Sequence, residues 1–369
     1  MTESRMAAPV TEVALPWAAD GLSGTPEEEL RAGLTAPGPA RPRRIPSLFG
    51  YDEAGSHLFE EITRLPDYYP PRAERRLLTE HGDHLVGLMR PVELVDLGAG
   101  SARKTEILLA AMDRHGLLRA YTGVDVSPEP MREAAGRIRR RWPRARVTAV
   151  RGDFLAALAW LRRAERIADT IPATADSAPA AADGAPAAAE GNGSGGRLLA
   201  LLGNTLGNLS EPEQTRFLRA VRAGCAPNDH LLVCVDLSEP VDVVRRAYEA
   251  GYAGPRPVRR MFALNTLRHL NRRYGADFDV DAFEPELTYD VARREVRGAI
   301  RSVRRQRVTL PRLGLAVDFG AGELLLHDVV RKFTVDGLVR AVGAHGMRCR
   351  RHWVDEEFGY GAFLFAPAG

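Results

Sequence analysis

Between residues 93 and 236 five short apolar runs alternate with stretches of helical periodicity: ELVDL (93–97), AYTGVDV (120–126), RVTAVR (146–151), RLLALL (197–202) and HLLVCVD (230–236). Runs this short and this apolar read as strands buried on both faces, and a strand–helix–strand repeat lays them parallel in one sheet with helices on either side. The predicted fold class is therefore α/β. At 369 residues the chain exceeds the roughly 250–300 residues that one core usually holds, so a second, smaller domain is expected. It falls after Asp236, where the alternation stops: 241–250 and 259–274 read as helical, Arg301–Leu310 as strand-like, and 347–366 returns to close the sheet.

Two segments lack the residues for a core. The first 45 residues are rich in Ala, Pro and Gly, with one short helix signal in which Thr25 caps and Pro26 opens the first turn; the rest of that tail is expected to be poorly ordered. Residues 167–196 carry almost no large apolar side chain and read as a disordered surface insertion. Charge excludes other roles. The 51 basic and 48 acidic residues, net +3, are spread along the chain, so no basic tract points to nucleic acid, and the cluster Arg137–Arg141 reads as a solvated helix face. No run approaches the roughly 20 apolar residues that span a bilayer, and three scattered cysteines form neither a disulfide framework nor a metal site. A cytoplasmic monomer acting on a small molecule is expected, with no metal, membrane or nucleic-acid partner.

The chemistry gathers at the strand ends. The first strand runs into Gly98-Ala-Gly100-Ser-Ala-Arg-Lys104, glycines that let backbone turn and approach a ligand before a helix N-terminus. The position three after Gly100 is Arg103, so this is not the dinucleotide fingerprint, and the Gly-Lys-Ser/Thr of a phosphate loop is absent. Asp125 ends the second strand, and Asp153-Phe154 follows the third, where an acid can accept ribose hydroxyls and a Phe can cover an adenine. Helix caps and turn acids remain the plainer reading of either Asp. Without the third glycine, S-adenosylmethionine is the favoured nucleoside, and methyl transfer follows. The fourth strand ends in GNTLGN (203–208), where glycine gives a substrate access to backbone and Asn208 offers both a donor and an acceptor to a zwitterion.

Taken in order, YDEAGSHLFEEITRLPDYYPPRAERRLL (51–78), LVDLGAGSARKT (94–105), GVDVS (123–127), GDF (152–154), GNTLGNL (203–209), FDVDAFE (278–284) and RKF (331–333) resemble the histidine-specific α-N-methyltransferase family, which makes trimethylhistidine for ergothioneine biosynthesis. The resemblance implies a Rossmann-like class I methyltransferase domain (73–238 plus 333–369) and an α+β substrate-binding domain (46–72 plus 239–332). It implies cofactor contacts for Tyr51, Phe59, Gly98, Gly100, Lys104, Asp125, Asp153 and Phe154. For the amino and carboxylate groups of the substrate it implies Tyr68, Gly203, Asn208 and Tyr248, with Tyr68 and Asn208 aiming the nitrogen. Tyr68 and Tyr248 also read as ordinary core tyrosines.

The departures fall where the family reads the side chain. A Glu and, two residues on, a Ser are expected there; this chain has Asp328 and Val330, side by side on one strand face. A pocket-lining Met falls near Gly298, and an Asn falls at Ala263. Losing one imidazole partner costs about 1–3 kcal/mol, and a shorter acid with more room fits a guanidinium at least as well as an imidazole. His327 is expected to face the opposite side of its strand from Asp328. Three readings stay open: α-N-methylation of histidine, the same chemistry on arginine or tryptophan, and a non-catalytic cofactor-binding module.

Overall fold

The computed structural model describes residues 9–18, 24–35, 42–164, 195–237 and 240–369. All five expected strands are present: β3 (Glu93–Leu97), β4 (Ala120–Asp125), β5 (Arg146–Arg151), β6 (Arg197–Leu201) and β7 (His230–Asp236). With β1 (Thr11–Ala14), β13 (Met347–Asp355) and β14 (Tyr360–Pro367) they form one eight-stranded sheet in the order β1-β5-β4-β3-β6-β7-β14-β13. The pairings from β1 to β7 are parallel, and β14 runs antiparallel to both of its neighbours.

Side chains alternate across the sheet and feed two cores. Leu94, Tyr121, Leu198 and Leu232 pack with α3 (Pro70–Met89), α4 (Thr105–Arg114) and α5 (Pro128–Arg141). Val95, Val124, Leu199 and Val233 pack with α6 (Phe154–Arg163), α7 (Glu211–Gly224) and α10 (Val335–Gly343) on the other face. The architecture is a Rossmann-like α/β fold.

A second sheet lies apart in order β2-β12-β9-β8, built from β2 (Arg43–Arg44), β8 (Phe283–Asp290), β9 (Glu295–Ser302) and β12 (Leu324–Arg331), beside a hairpin of β10 (Gln306–Leu310) and β11 (Leu315–Phe319). The strand expected across Arg301–Leu310 is thus two strands with a turn at 303–305. α1 (Pro26–Leu34) and α9 (Val258–Tyr274) supply Leu30, Leu34, Leu267 and Leu270 to a core shared with Ile300, Val308 and Leu325. α2 (Glu53–Ile62) packs on α9, and α8 (Val241–Glu249) packs on β8.

The N-terminal 45 residues need correcting. Thr25 caps α1 with a complete capping box, as expected, but Leu30 and Leu34 are fully buried. Thr11–Ala14 extends the large sheet against β5, and Leu15 donates its N–H to the Arg151 carbonyl at 2.8 Å. A four-residue edge strand takes its order from its partner, so its own composition does not announce it. The insertion assigned to 167–196 lies outside the described residues up to 194. Its last two residues are in place: the Gly196 carbonyl accepts the Val92 N–H at 3.0 Å.

Candidate active site

The carboxyl ends of β3, β4 and β6 open into a cleft roofed by α2 and β12, with a cavity of about 1390 Å³. Tyr51, Phe59, Tyr68, Gly98, Gly100, Lys104, Asp125, Asp153, Phe154, Gly203, Asn208 and Asp328 all line it. A second cavity of about 50 Å³ shares Tyr51, Phe59, Tyr68, Gly203, Asn208 and Asp328 with the first and adds Tyr248, Gly298 and Val330. Of the residues that the sequence reading placed at the site, all but Ala263 border one of these spaces.

On the sheet side of the large cavity Asp125, Asp153, Glu74 and Lys104 are already paired. Gly98 and Gly100 hold left-handed backbone, φ +81° and +48°, which brings the Gly100 N–H to Asp125 Oδ2 at 2.8 Å while Oδ1 accepts from Ser127 N–H at 2.8 Å. Burial raises the Asp125 pKa despite these backbone donors. Each oxygen accepts one N–H here and keeps a further lone pair, so the residues present fit a ribose diol. The Phe154 ring packs edge-on against Phe217 and comes close to Gly98, which gives an apolar wall. Asp153 proves to be the N-cap of α6: Oδ1 accepts from Ala156 N–H at 2.9 Å and Oδ2 from Ala18 N–H at 2.8 Å. The roof is tied down by Ser127 Oγ donating to the Tyr51 carbonyl and Ser101 Oγ donating to Glu60, both at 2.8 Å.

Glu74 escaped the sequence reading. Fully buried on α3, it pairs with Lys104 and accepts the Gly203 N–H at 2.6 Å. Burial disfavours the charged form of Lys104, but the Glu74 carboxylate outweighs it and raises the pKa. The expected roles shift accordingly: Lys104 braces the strand end, and the Gly203 N–H is committed to protein. The signal was a lone acid in the buried stripe Ala73, Leu77, Leu78.

GNTLGN divides into support and site. Asn204, at φ +58°, accepts the Asp236 N–H through Oδ1 at 2.9 Å and donates Nδ2 to the Arg331 carbonyl. A Cβ on Gly207 would collide with that carbonyl and with the Asn204 amide. The brace leaves Asn208 bordering both cavities.

Behind it, Asp236 forms a fully buried ion pair with Lys332 and accepts Tyr69 Oη at 2.7 Å and Tyr248 Oη at 3.2 Å. Tyr248 packs edge-on against Tyr68 at 5.6 Å, so both are core residues and site residues at once.

The small cavity is different in kind. Asp328 lies opposite Gly298 in the β12–β9 register and Val330 opposite Val296. Burial lifts the Asp328 carboxyl to about 6 in spite of the nearby Arg259 guanidinium. The register slips between Leu326 and Asp328; this bulge upsets the strict alternation of faces, and His327 lines both cavities. It does not turn away as expected. Its Nε2 is buried without a hydrogen-bond partner, and burial lowers its pKa to about 4. Nor does Gly298 leave room: a Cβ there would lie 2.9 Å from His327 Nε2, so the imidazole ring fills the space a larger residue would take. Ala263 is fully buried in the core between α9 and the second sheet and borders neither cavity; its neighbour Phe262 lines the small one. Arg259, also missed, stands over the Tyr68 ring at 4.5 Å and the Tyr248 ring at 5.3 Å.

A Gly-rich turn clasped by the acid that ends the next strand, at the carboxyl edge of a parallel sheet with a separate roof, defines the nucleoside site of a class I, S-adenosylmethionine-dependent methyltransferase. The family model for histidine-specific, S-adenosylmethionine-dependent methyltransferases matches residues 26–367, and the chain belongs to that family. It is 34% identical over 325 residues to a histidine N-alpha-methyltransferase from Mycobacterium tuberculosis, covering 88% of this chain and 91% of that protein. To a histidine N-alpha-methyltransferase from Mycolicibacterium smegmatis it is 33% identical over 347 residues, 94% and 96% of the two chains. A 4-dimethylallyltryptophan N-methyltransferase from Claviceps fusiformis is 24% identical over 233 residues, 61% of this chain and 57% of that protein. Among the described residues no helix is long and apolar enough to cross a membrane.

Proposed function

We propose that this enzyme methylates the α-amino nitrogen of L-histidine within ergothioneine biosynthesis, with S-adenosylmethionine held by the large cavity and the amino acid by the small one. When bound, S-adenosylmethionine supplies a sulfonium-activated methyl group. Asp125 would hold its ribose, Asp153 and Phe154 its base, and the roof residues Tyr51 and Phe59 would exclude water above it. The chain's own contribution is placement. The substrate's ammonium first gives up a proton to solvent, which exposes its lone pair, and Asn208 Oδ1 then accepts one hydrogen of the neutral amine. Tyr248, whose proton is committed to Asp236, offers its oxygen lone pairs to another, and Tyr68 flanks them, which leaves the nitrogen lone pair facing the cofactor cavity.

The observation that carries the choice of histidine is the closed end of the small cavity. There the Asp328 carboxyl and the buried, unpartnered His327 Nε2 both line the cavity, and an imidazole, compact and with a nitrogen on each of two edges, can satisfy both. The His327 ring, and not open space, lies above Gly298, which removes the extra room a longer side chain would use. Residues 46–72 plus 239–332, joined by α1, would serve as the substrate-binding unit and 73–238 plus 333–369 as the cofactor unit. Three cysteines without a disulfide fit a reducing, cytoplasmic setting, and the site is complete within one chain, as a monomer requires. The test is mass spectrometry after incubation with S-adenosylmethionine and each of the twenty amino acids in turn. Histidine alone should gain one, two or three CH₂ units; methylation of arginine or tryptophan in its place would overturn the substrate.

A further inference from the structure

An amino-acid substrate brings a permanent carboxylate into the small cavity, and two of the donors expected to meet its backbone end are taken. The Gly203 N–H is spent on Glu74 and the Tyr248 hydroxyl on Asp236. Lys104, at the edge of the large cavity, is paired with Glu74. Of the residues that line the small cavity, one carries a fixed positive charge, Arg259, and one other carries a carboxyl, Asp328. The guanidinium is stacked over Tyr68 and Tyr248, the two tyrosines expected at the backbone end of the substrate. Nη2 donates to the Ala247 carbonyl at 3.3 Å, which fixes the plane. Nε is buried with no partner, and among the described residues no carboxylate lies within ion-pair distance of the group.

A guanidinium with a buried, unpartnered Nε and no counter-ion is costly, and the cost is recovered when an anion arrives. Asp328 is not that anion: the Arg259 charge acts on its carboxyl only through space, with no hydrogen bond between the two. One cation and one acid, unpaired at separate places in a single small cavity, complement a zwitterion whose side chain donates a hydrogen bond. We infer that Arg259 is the anchor for the substrate's α-carboxylate, so that the enzyme selects a free amino acid over the same compound with its carboxyl blocked.

The inference rests on the amino-acid reading of the site, and its test separates the two. Wild type and Arg259→Met are each assayed with L-histidine and with L-histidinamide, which keeps the amine and imidazole and loses the charge. Wild type should favour the acid in kcat/KM by about 10- to 100-fold, the range for a charge-assisted hydrogen-bonded pair. Arg259→Met should lose that preference through KM for histidine, leaving kcat/KM for the amide within about threefold and S-adenosylhomocysteine affinity unchanged. Equal loss on both compounds, or no loss on either, would overturn the assignment. Should the variant fail to bind S-adenosylhomocysteine because it is unfolded, the wild type decides alone: taking acid and amide equally well contradicts the anchor. If wild type leaves histidine untouched, the substrate reading fails, and the same acid-against-amide comparison is run on whichever amino acid gains mass.

Discussion

The two cavities share a wall and differ in how their polar groups are satisfied. On the sheet side Asp125, Asp153, Glu74 and Lys104 each have protein partners. On the roof side Nε of Arg259 and Nε2 of His327 are buried with none, and burial holds the Asp328 carboxyl near 6. A group paired within the protein is pre-aimed and rigid; a group left unpaired costs stability until a ligand completes it. The contrast separates a surface built before binding from one completed by binding.

Breaking the satisfied side should give the largest effects. Glu74→Ala leaves the Gly203 N–H and the partly exposed Lys104 ammonium without their shared partner and should lower unfolding free energy by about 1–3 kcal/mol, read by urea denaturation. Asp125→Ala should leave the fold intact and weaken S-adenosylhomocysteine binding in calorimetry by about 10- to 100-fold.

The unsatisfied side should respond in turnover while stability hardly changes. Asn208→Ala should keep cofactor affinity and lower kcat/KM for histidine by about tenfold or more; a loss of cofactor binding would place Asn208 with the braces. Next comes pH. A carboxyl raised from 3.8 to about 6 is neutral below that value, so kcat/KM, which reports the free enzyme, should fall as pH drops through about 6, toward tenfold per unit. Asp328→Asn should flatten that acid limb. The smallest change is His327→Leu, which removes an unsatisfied nitrogen: stability should hold or rise by about 1 kcal/mol while KM for histidine rises a few-fold. A stability loss as large as that of Glu74→Ala would show that the two sides do not differ.

What the sequence revealed follows the same line. The parallel strands were legible because burial on both faces writes continuous apolar runs such as Leu198–Leu202, and the Gly98 turn because positive φ demands its residue type. Asn204 and Asn208 look alike in sequence, and only the Asp236 and Arg331 contacts separate brace from site. Glu74 and Arg259 sit on helices whose spacing says which face is inward but not what waits across the gap. His327 was misplaced because strand alternation is a local rule, and the bulge that breaks it is set by pairing with β9. Asp328 and Gly298 were recognised singly, yet the ring that fills the space between them was not.

The central claim is spatial: a nucleoside on the satisfied floor and a zwitterion in the unsatisfied niche. A crystal structure of the chain with S-adenosylhomocysteine and L-histidine tests it directly. The account requires ribose hydroxyls on Asp125, the substrate amine at Asn208, its carboxylate on Arg259 and its imidazole between Asp328 and His327. A nucleoside lodged away from Asp125, or a histidine bound outside the small cavity with Arg259 and His327 still unpaired, would contradict it.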